Sequence, residues 1–415
     1  SSGYPHPAER LSMAGWAIRS GLTISSLYID GGLMIRLTLR HIVLTLALSA
    51  CTLSAAGQIV DSVYLARVQD SVDRYYRLHP RRHPSRPDPS FRTVPVFGLM
   101  YAQETGLVAV GGFSATYRTA ADTLAPLSAI GAAAMLSTNL SAAGAVTGKW
   151  VLPSGRMVLE YSAAYIYGPR YFWGLGYGMG SDDGNRVSMV SSRVKARADL
   201  IYLVNSRIQA GLFATYTYYK VSELEDRTLI EGGPGMTQYA GAGARFDLDT
   251  RDSRSEPSRG VFLSVQQSVH FSLTGLRPFS RSEMTADFYC PLWSGGVLAS
   301  DVYAVIHSDA APWTVWPEAG GDVRLRGYYR GRYRDRNLLS VQVELRQKVY
   351  GPHGLAVWGG AGNVFPSFKG FEIKNTLPTY GAGYRCSFLG LVLRLDAGFG
   401  LRGQWAVTAG VSHSF

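Results

Sequence analysis

The densest chemistry in this chain lies between Gly320 and Asn337, which read GGDVRLRGYYRGRYRDRN and hold six arginines, two aspartates and four glycines. A guanidinium is a permanently charged planar fork that matches a carboxylate or a phosphate. The stretch can therefore grip anions or pair with carboxylates. Covalent catalysis needs something else, a nucleophile beside a base that is usually histidine. From Thr93 onward the histidines are His270, His307, His353 and His413, and no recognisable catalytic motif pairs His307 with a nucleophilic serine and an orienting acid. Ligand clusters with zinc spacing are missing, as is a phosphate-loop pattern. The sequence is read as that of a non-enzyme, with no catalytic residue, no metal and no cofactor.

The elements that must position this stretch show in the composition. Charged residues are only 17% of the 415, while glycines number 47 and tyrosines 25. Such a chain suits turn-rich β-structure, including a membrane barrel. After residue 57 no run of eighteen apolar residues occurs, so no transmembrane helix is expected. The net charge of +11 raises the question of nucleic acid. Much of that excess sits in the N-terminal portion and the arginine stretch, so no nucleic-acid partner is expected.

Residues 1–33 show no strong periodicity and are read as an upstream extension, with Met34 as the expected start. Residues 34–56 read as a signal peptide: Arg36, Arg40 and His41 are basic, Ile42 to Leu48 apolar, and Ser54-Ala55-Ala56 small. Leu48-Ser49-Ala50-Cys51 also resembles a lipoprotein cleavage box, which would lipidate Cys51; cleavage near Ala56 is the alternative. Within 57–92, Val60, Tyr64, Val68, Val72 and Tyr76 recur every four residues, predicting a short periplasmic helix over Ile59 to Arg77. Prolines 80, 84, 87 and 89 make Leu78 to Arg92 an extended linker.

From 93 to 415 the text becomes strands of about ten residues. Leu339, Val341, Val343 and Leu345 alternate with Ser340, Gln342, Glu344, Arg346 and Lys348. Val261, Leu263, Val265, Val269 and Phe271 alternate with Ser264, Gln266, Ser268 and His270. Period two sends these sets to opposite faces of a sheet. Short turns at Gln103–Gly106, Pro153–Arg156, Asn205–Arg207 and Ser294–Gly296 alternate with long loops near Thr119–Pro126, Gly168–Arg186, Ser222–Met236, Ser272–Phe279, Ala311–Asn337 and Ser367–Thr376. Short periplasmic turns and long outer loops are the asymmetry of an outer-membrane barrel. The expectation is an all-β, antiparallel transmembrane β-barrel of about 16 strands, closed so that lipid meets no unpaired backbone. The last strand is read from Trp405 to Phe415, with Trp405, Val407, Ala409, Val411 and Phe415 on one face.

The arginine stretch resembles a family motif. GGxVxLRGYxxGRYRDRN, with Leu325-Arg326-Gly327-Tyr328 at its heart, is similar to the sixth-loop motif of the BamA/TamA family, also called the bacterial surface antigen family. Further likenesses are Asp249-Thr250-Arg251-Asp252 with Pro257 and Gly260, Tyr171-Phe172-Trp173-Gly174-Leu175-Gly176, and Gly362-Asn363-Val364-Phe365. The resemblance implies a loop after strand eleven that folds into the lumen, where Arg326 pairs with an acid on the inner wall. The family's usual acid is an aspartate on strand thirteen, two residues before a glycine. Gly360-Ala361-Gly362 stands there instead, so Glu344 or Asp396 are the candidate partners. The end of the chain also resembles the signal by which outer-membrane barrels are recognised for insertion, carried by Trp405, Val407, Val411 and Phe415; His413 departs from it.

The resemblance implies a bacterial outer-membrane protein of protein biogenesis or transport, with lipid, lipopolysaccharide and periplasmic or outer-membrane assembly proteins as partners. Gly57 to Arg92 is too short for the family's periplasmic repeat domains. The alternative is a structural or plugged-pore barrel without assembly activity.

Overall fold

The computed structural model describes residues 91–102, 106–119, 127–230, 232–254, 256–388, 391–411 and 413–415. The upstream extension, signal segment, Cys51, Ile59–Arg77 helix and most of the linker lie outside the described residues. Sixteen strands follow one another in chain order: β1 (Phe91–Ala102), β2 (Gly106–Tyr117), β3 (Ser128–Ser137), β4 (Ala142–Val151), β5 (Met157–Phe172), β6 (Val187–Leu203), β7 (Ile208–Leu224) and β8 (Met236–Asp249). The second half is β9 (Gly260–Ser272), β10 (Phe279–Trp293), β11 (Gly296–His307), β12 (Asn337–Tyr350), β13 (His353–Phe365), β14 (Leu377–Phe388), β15 (Leu391–Phe399) and β16 (Trp405–Val411). Each is hydrogen-bonded to its neighbours in sequence, forming one 16-stranded sheet. No helix of the described residues is long and apolar enough to cross a membrane.

Alternation places the side chains, and the outcome is the inverse of a soluble protein. On β12, Val341 and Val343 are exposed while Gln342, Glu344 and Arg346 are buried; Val343 is 42% exposed and Glu344 0%. On β9, Ser264, Ser268 and His270 are buried and Val265, Val269 and Phe271 exposed. A soluble sandwich would bury the apolar set. Here the polar set lines the enclosed side, and the apolar set makes the outer surface that lipid requires. Exposed aromatics gather at both ends of this band, with Trp150, Tyr202, Trp293 and Tyr350 at one and Tyr167, Tyr171, Tyr380 and Trp405 at the other. Interfacial girdles take that form.

Because all pairings are antiparallel, connections alternate strictly between two ends. One end carries 173–186, 225–235, 308–336 and 366–376, and the other carries 204–207, 294–295 and 351–352. Two of the connections singled out in the sequence depart from the expected asymmetry. The Gln103–Gly106 turn belongs to the long-loop end, and Thr119–Pro126 to the short-turn end. The ten residues 250–259 at the short-turn end depart from it too, as do the short 138–141 and 400–404 at the long-loop end. Length alone does not assign an end; strand direction does.

The expected closure also differs. Among the described residues no β1–β16 pairing occurs, so the sheet curls without a hydrogen-bonded seam. The cause lies partly in β16, which stops at Val411 after 7 residues against the 12 of β1. Beyond it His413, Ser414 and Phe415 are buried, and Phe415 packs against Tyr289 of β10 and Ala299 of β11. Contact with those distant strands means the chain end turns inside the curl. The expected shared face therefore fails at Phe415: Trp405 and Val407 are exposed, whereas Phe415 points inward.

Candidate functional site

The connection between β11 and β12, residues 308–336, runs into the interior. Its path is set by backbone conformations that side chains resist. Gly320, Gly321 and Gly327 have φ of 96°, 114° and 112°, and Leu325 has φ of 52°. Glycine takes such angles without a Cβ penalty. At Gly327 there is a second need, because a Cβ would come within 2.7 Å of the Phe399 backbone nitrogen. A Cβ on Gly398 would meet the Arg326 carbonyl carbon at 2.7 Å. The loop's main chain thus rests directly on the end of β15. Leu325 fills the space that Gly362 of β13 leaves open, where a Cβ would lie 2.7 Å from its methyl.

This seating delivers Arg326 between two carboxylates. Its Nη2 lies 2.8 Å from Glu344 Oε2 of β12, and its Nη1 donates to Asp396 Oδ2 of β15 at 2.9 Å. The guanidinium carbon sits 3.6 Å from the centroid of the Trp358 ring, which covers one face of the fork. Arg326 is 1% exposed. Three wall arginines complete the node. Arg346 Nε donates to Glu344 at 2.8 Å, Arg385 Nη1 to Asp396 at 2.5 Å, and Arg394 Nη1 to Asp396 at 3.2 Å. Arg394 also reaches Asp322 of the loop at 3.1 Å. A charge so deeply buried is tolerable only when it is paired, and this one has two carboxylates beside it and donates a hydrogen bond to Asp396.

Tyr328 fastens the next residue. Its hydroxyl donates to the Pro378 carbonyl at 2.6 Å and accepts from the Leu401 amide at 2.8 Å. Burial pushes this phenol up to about 12. The bond network therefore holds a neutral hydroxyl, which can donate and accept at once.

A second node holds the loop on another part of the sheet. Glu318 lies 2.9 Å from Arg170 of β5, 3.1 Å from Arg193 of β6 and 3.4 Å from Arg330, and it also pairs with Arg334. Burial alone would raise its carboxyl, but the charges of Arg193, Arg334 and Arg330 outweigh that and hold it at about 2. Between the nodes, Arg324 forks onto Asp301 of β11 at 2.7 Å, and Tyr333 stacks on Tyr177 of a short helix, α1 (Gly176–Ser181), at 5.6 Å. The loop thus spans from β5 and β6 to β12 and β15.

Of the residues singled out in the sequence, Leu325, Arg326, Gly327 and Tyr328 come together with both Glu344 and Asp396. Trp405 and Val407 stand apart on the outer surface, and the Val411 side chain and Cys51 lie outside the described residues. The sequence reading missed Glu318, Trp358, Arg346, Arg385 and Arg394. Arg346 and Arg394 stand two residues from Glu344 and Asp396 on the same strand faces, and that spacing was a usable signal. Among the described residues no group of histidine, cysteine, aspartate and glutamate could hold a metal ion.

No protein-family model matches the sequence, and no curated protein matches it. Solved structures do resemble the fold. The chain is similar to BamA from Haemophilus ducreyi lacking POTRA domains 1–3, at 14% identity and a TM-score of 0.56, over 78% of this chain and 70% of that one. It is similar to CdiB from Escherichia coli, at 13% identity and a TM-score of 0.54, over 79% of this chain and 63% of that one. CdiB from Acinetobacter baumannii matches at 12% identity and a TM-score of 0.50, over 77% of this chain and 59% of that one. The chain thus spans less than two thirds of either CdiB. Identities this low speak to fold alone.

Proposed function

We propose that this protein is an outer-membrane β-barrel component of protein biogenesis or transport, whose β11–β12 loop is an internal latch on the barrel wall. The observation that carries the reading is Arg326, buried between Glu344 and Asp396 with its backbone seated on Gly398. Fixing a loop this way inside a hollow sheet costs several buried charges, which a barrel needing only to be filled could replace with apolar packing. The exposed apolar band supports a membrane location, and the fold shared with BamA and CdiB supports the outer membrane. The surrounding partners in this reading are outer-membrane lipid and lipopolysaccharide, with periplasmic or outer-membrane assembly proteins as clients or co-workers. The activity proposed is not enzymatic.

Depletion tests it. Loss of the protein should lower the level of other outer-membrane or exported proteins and raise outer-membrane permeability, and Arg326→Ala should reproduce part of that loss. Unchanged levels and permeability would overturn the reading.

A second reading is a plugged pore, favoured by the loop being tied both to β5 and β6 and to β12 and β15. Under it, removing residues 57–92 or the Glu318 clamp should raise ion conductance while protein biogenesis stays normal.

A further inference from the structure

The β13–β14 connection, residues 366–376, does not stand up from the rim. β13 alternates cleanly, with Leu355 and Val357 exposed outward and Ala356 and Trp358 buried inward. Asn363 and Phe365 continue the outward register, opposite Leu339 and Asn337 of β12, so both should be exposed. They are buried instead, Phe365 at 2%. The connection covers them. Phe365 packs on Phe368 at 5.7 Å and on Phe371 at 5.2 Å, and Asn363 Nδ2 donates to the Glu372 carbonyl at 2.9 Å. The segment therefore folds back over the outside of the sheet at its long-loop end.

Lying there, it presents apolar groups away from the wall. Phe368 is 74% exposed and Ile373 81%. Lys369 and Lys374 stand beside them on the same segment, both exposed. Lys374 has Glu372 at 3.3 Å, while Lys369 has no carboxylate partner among the described residues. Directly below, on the same outer surface, run the exposed Val341, Val357 and Tyr380. An apolar tip with lysines, continuous with a lipid-facing band, belongs where acyl chains give way to charged headgroups, because lysine stems lie along apolar surface while the ammonium reaches out.

We propose that residues 366–376 form a docking surface for a phosphorylated glycolipid of the outer leaflet, lipopolysaccharide being the test ligand. Phe368 and Ile373 enter the acyl region, and Lys369 and Lys374 meet headgroup phosphates. Charge and position favour this occupant over a second copy of the chain: the segment is net basic, and it is continuous with lipid-facing side chains. The inference rests on the membrane location proposed above.

The test uses the full chain, with Cys51, Cys290 and Cys386 replaced by serine, in phosphatidylcholine vesicles with and without lipopolysaccharide. A nitroxide is attached in turn at Ile373→Cys, Val341→Cys and Asp309→Cys, and collisions with oxygen and with a nickel chelate are compared. Val341→Cys reports the membrane location, and the exposed Asp309→Cys reports water. Ile373→Cys should favour oxygen over chelate severalfold more than Asp309→Cys. Lipopolysaccharide should deepen that preference, and Lys369→Glu with Lys374→Glu should abolish the deepening. The proposal is overturned if lipopolysaccharide leaves the Ile373→Cys preference unchanged, or if Ile373→Cys matches Asp309→Cys in both vesicles while Val341→Cys reads as immersed. Protection that follows protein density and not lipid content would overturn it in favour of a second copy. If Val341→Cys is also open to the chelate, the membrane location itself falls.

Discussion

Gly327 of the loop and Gly398 of β15 meet backbone to backbone, each occupying the space a Cβ on the other would need. This contact brings Arg326 within reach of Asp396 without stretching either side chain. Gly327→Ala meets both the positive φ and the collision, and should destabilise the fold by about 1–3 kcal/mol. Gly398→Ala meets only the collision and should cost less. Urea unfolding midpoints in lipid vesicles give the comparison, and equal, near-zero costs would place the loop elsewhere.

Glu318 gives a pH dependence of definite sign. Its carboxyl is held at about 2, below its ordinary value of 4.5, so its folded pKa is depressed. The stability it contributes is fully present above 4.5 and is lost as pH falls from 4.5 towards 2. Wild type should therefore lose stability over that window. Glu318→Gln should be less stable at neutral pH and flatter below 4.5, as measured by denaturation at stepped pH.

Tyr328→Phe removes a hydroxyl that serves the Pro378 carbonyl and the Leu401 amide. Leaving those groups without it should cost about 1–3 kcal/mol. The ring should stay in place against Tyr333, its edge-to-face neighbour at 5.7 Å. Hydrogen exchange should speed at the Leu401 amide and leave the β12 amides unchanged.

Val343→Arg tests the direction of the sheet. Val343 is exposed and Glu344, its sequence neighbour, is wholly buried. An arginine at mid-strand on the lipid face should cost about 2–4 kcal/mol of folding into a bilayer. In detergent micelles, whose packing is looser, the penalty should shrink. A cost that is equal in both would argue that the valine does not face lipid.

How much of this could be read from the residues depends on the range of the signal. Strands were legible because period two is local, and β12 shows its two faces in five consecutive letters. Glu344 and Asp396 were legible as interior acids for the same reason. Glu318 was not, since its partners Arg170 and Arg193 lie more than 120 residues upstream, as the separation of 125 from Arg193 shows. The inward turn at Phe415 was hidden because alternation says where side chains point only while the strand lasts, and it ends at Val411. Asn363 and Phe365 kept the right register but were covered by a loop whose path no alternation predicts. The swapped ends of 103–106 and 119–126 needed strand direction, which connection length does not carry.

The latch itself is most directly tested by a double-mutant cycle between Arg326→Met and Asp396→Asn, read as unfolding free energy in lipid vesicles. Arg326 and Asp396 lie 2.9 Å apart and are both buried, so the two losses should be strongly non-additive. The expected coupling is about 1–3 kcal/mol, within the range for residues in direct contact. Losses that simply add would contradict the latch, because they would mean that the arginine and the aspartate do not meet.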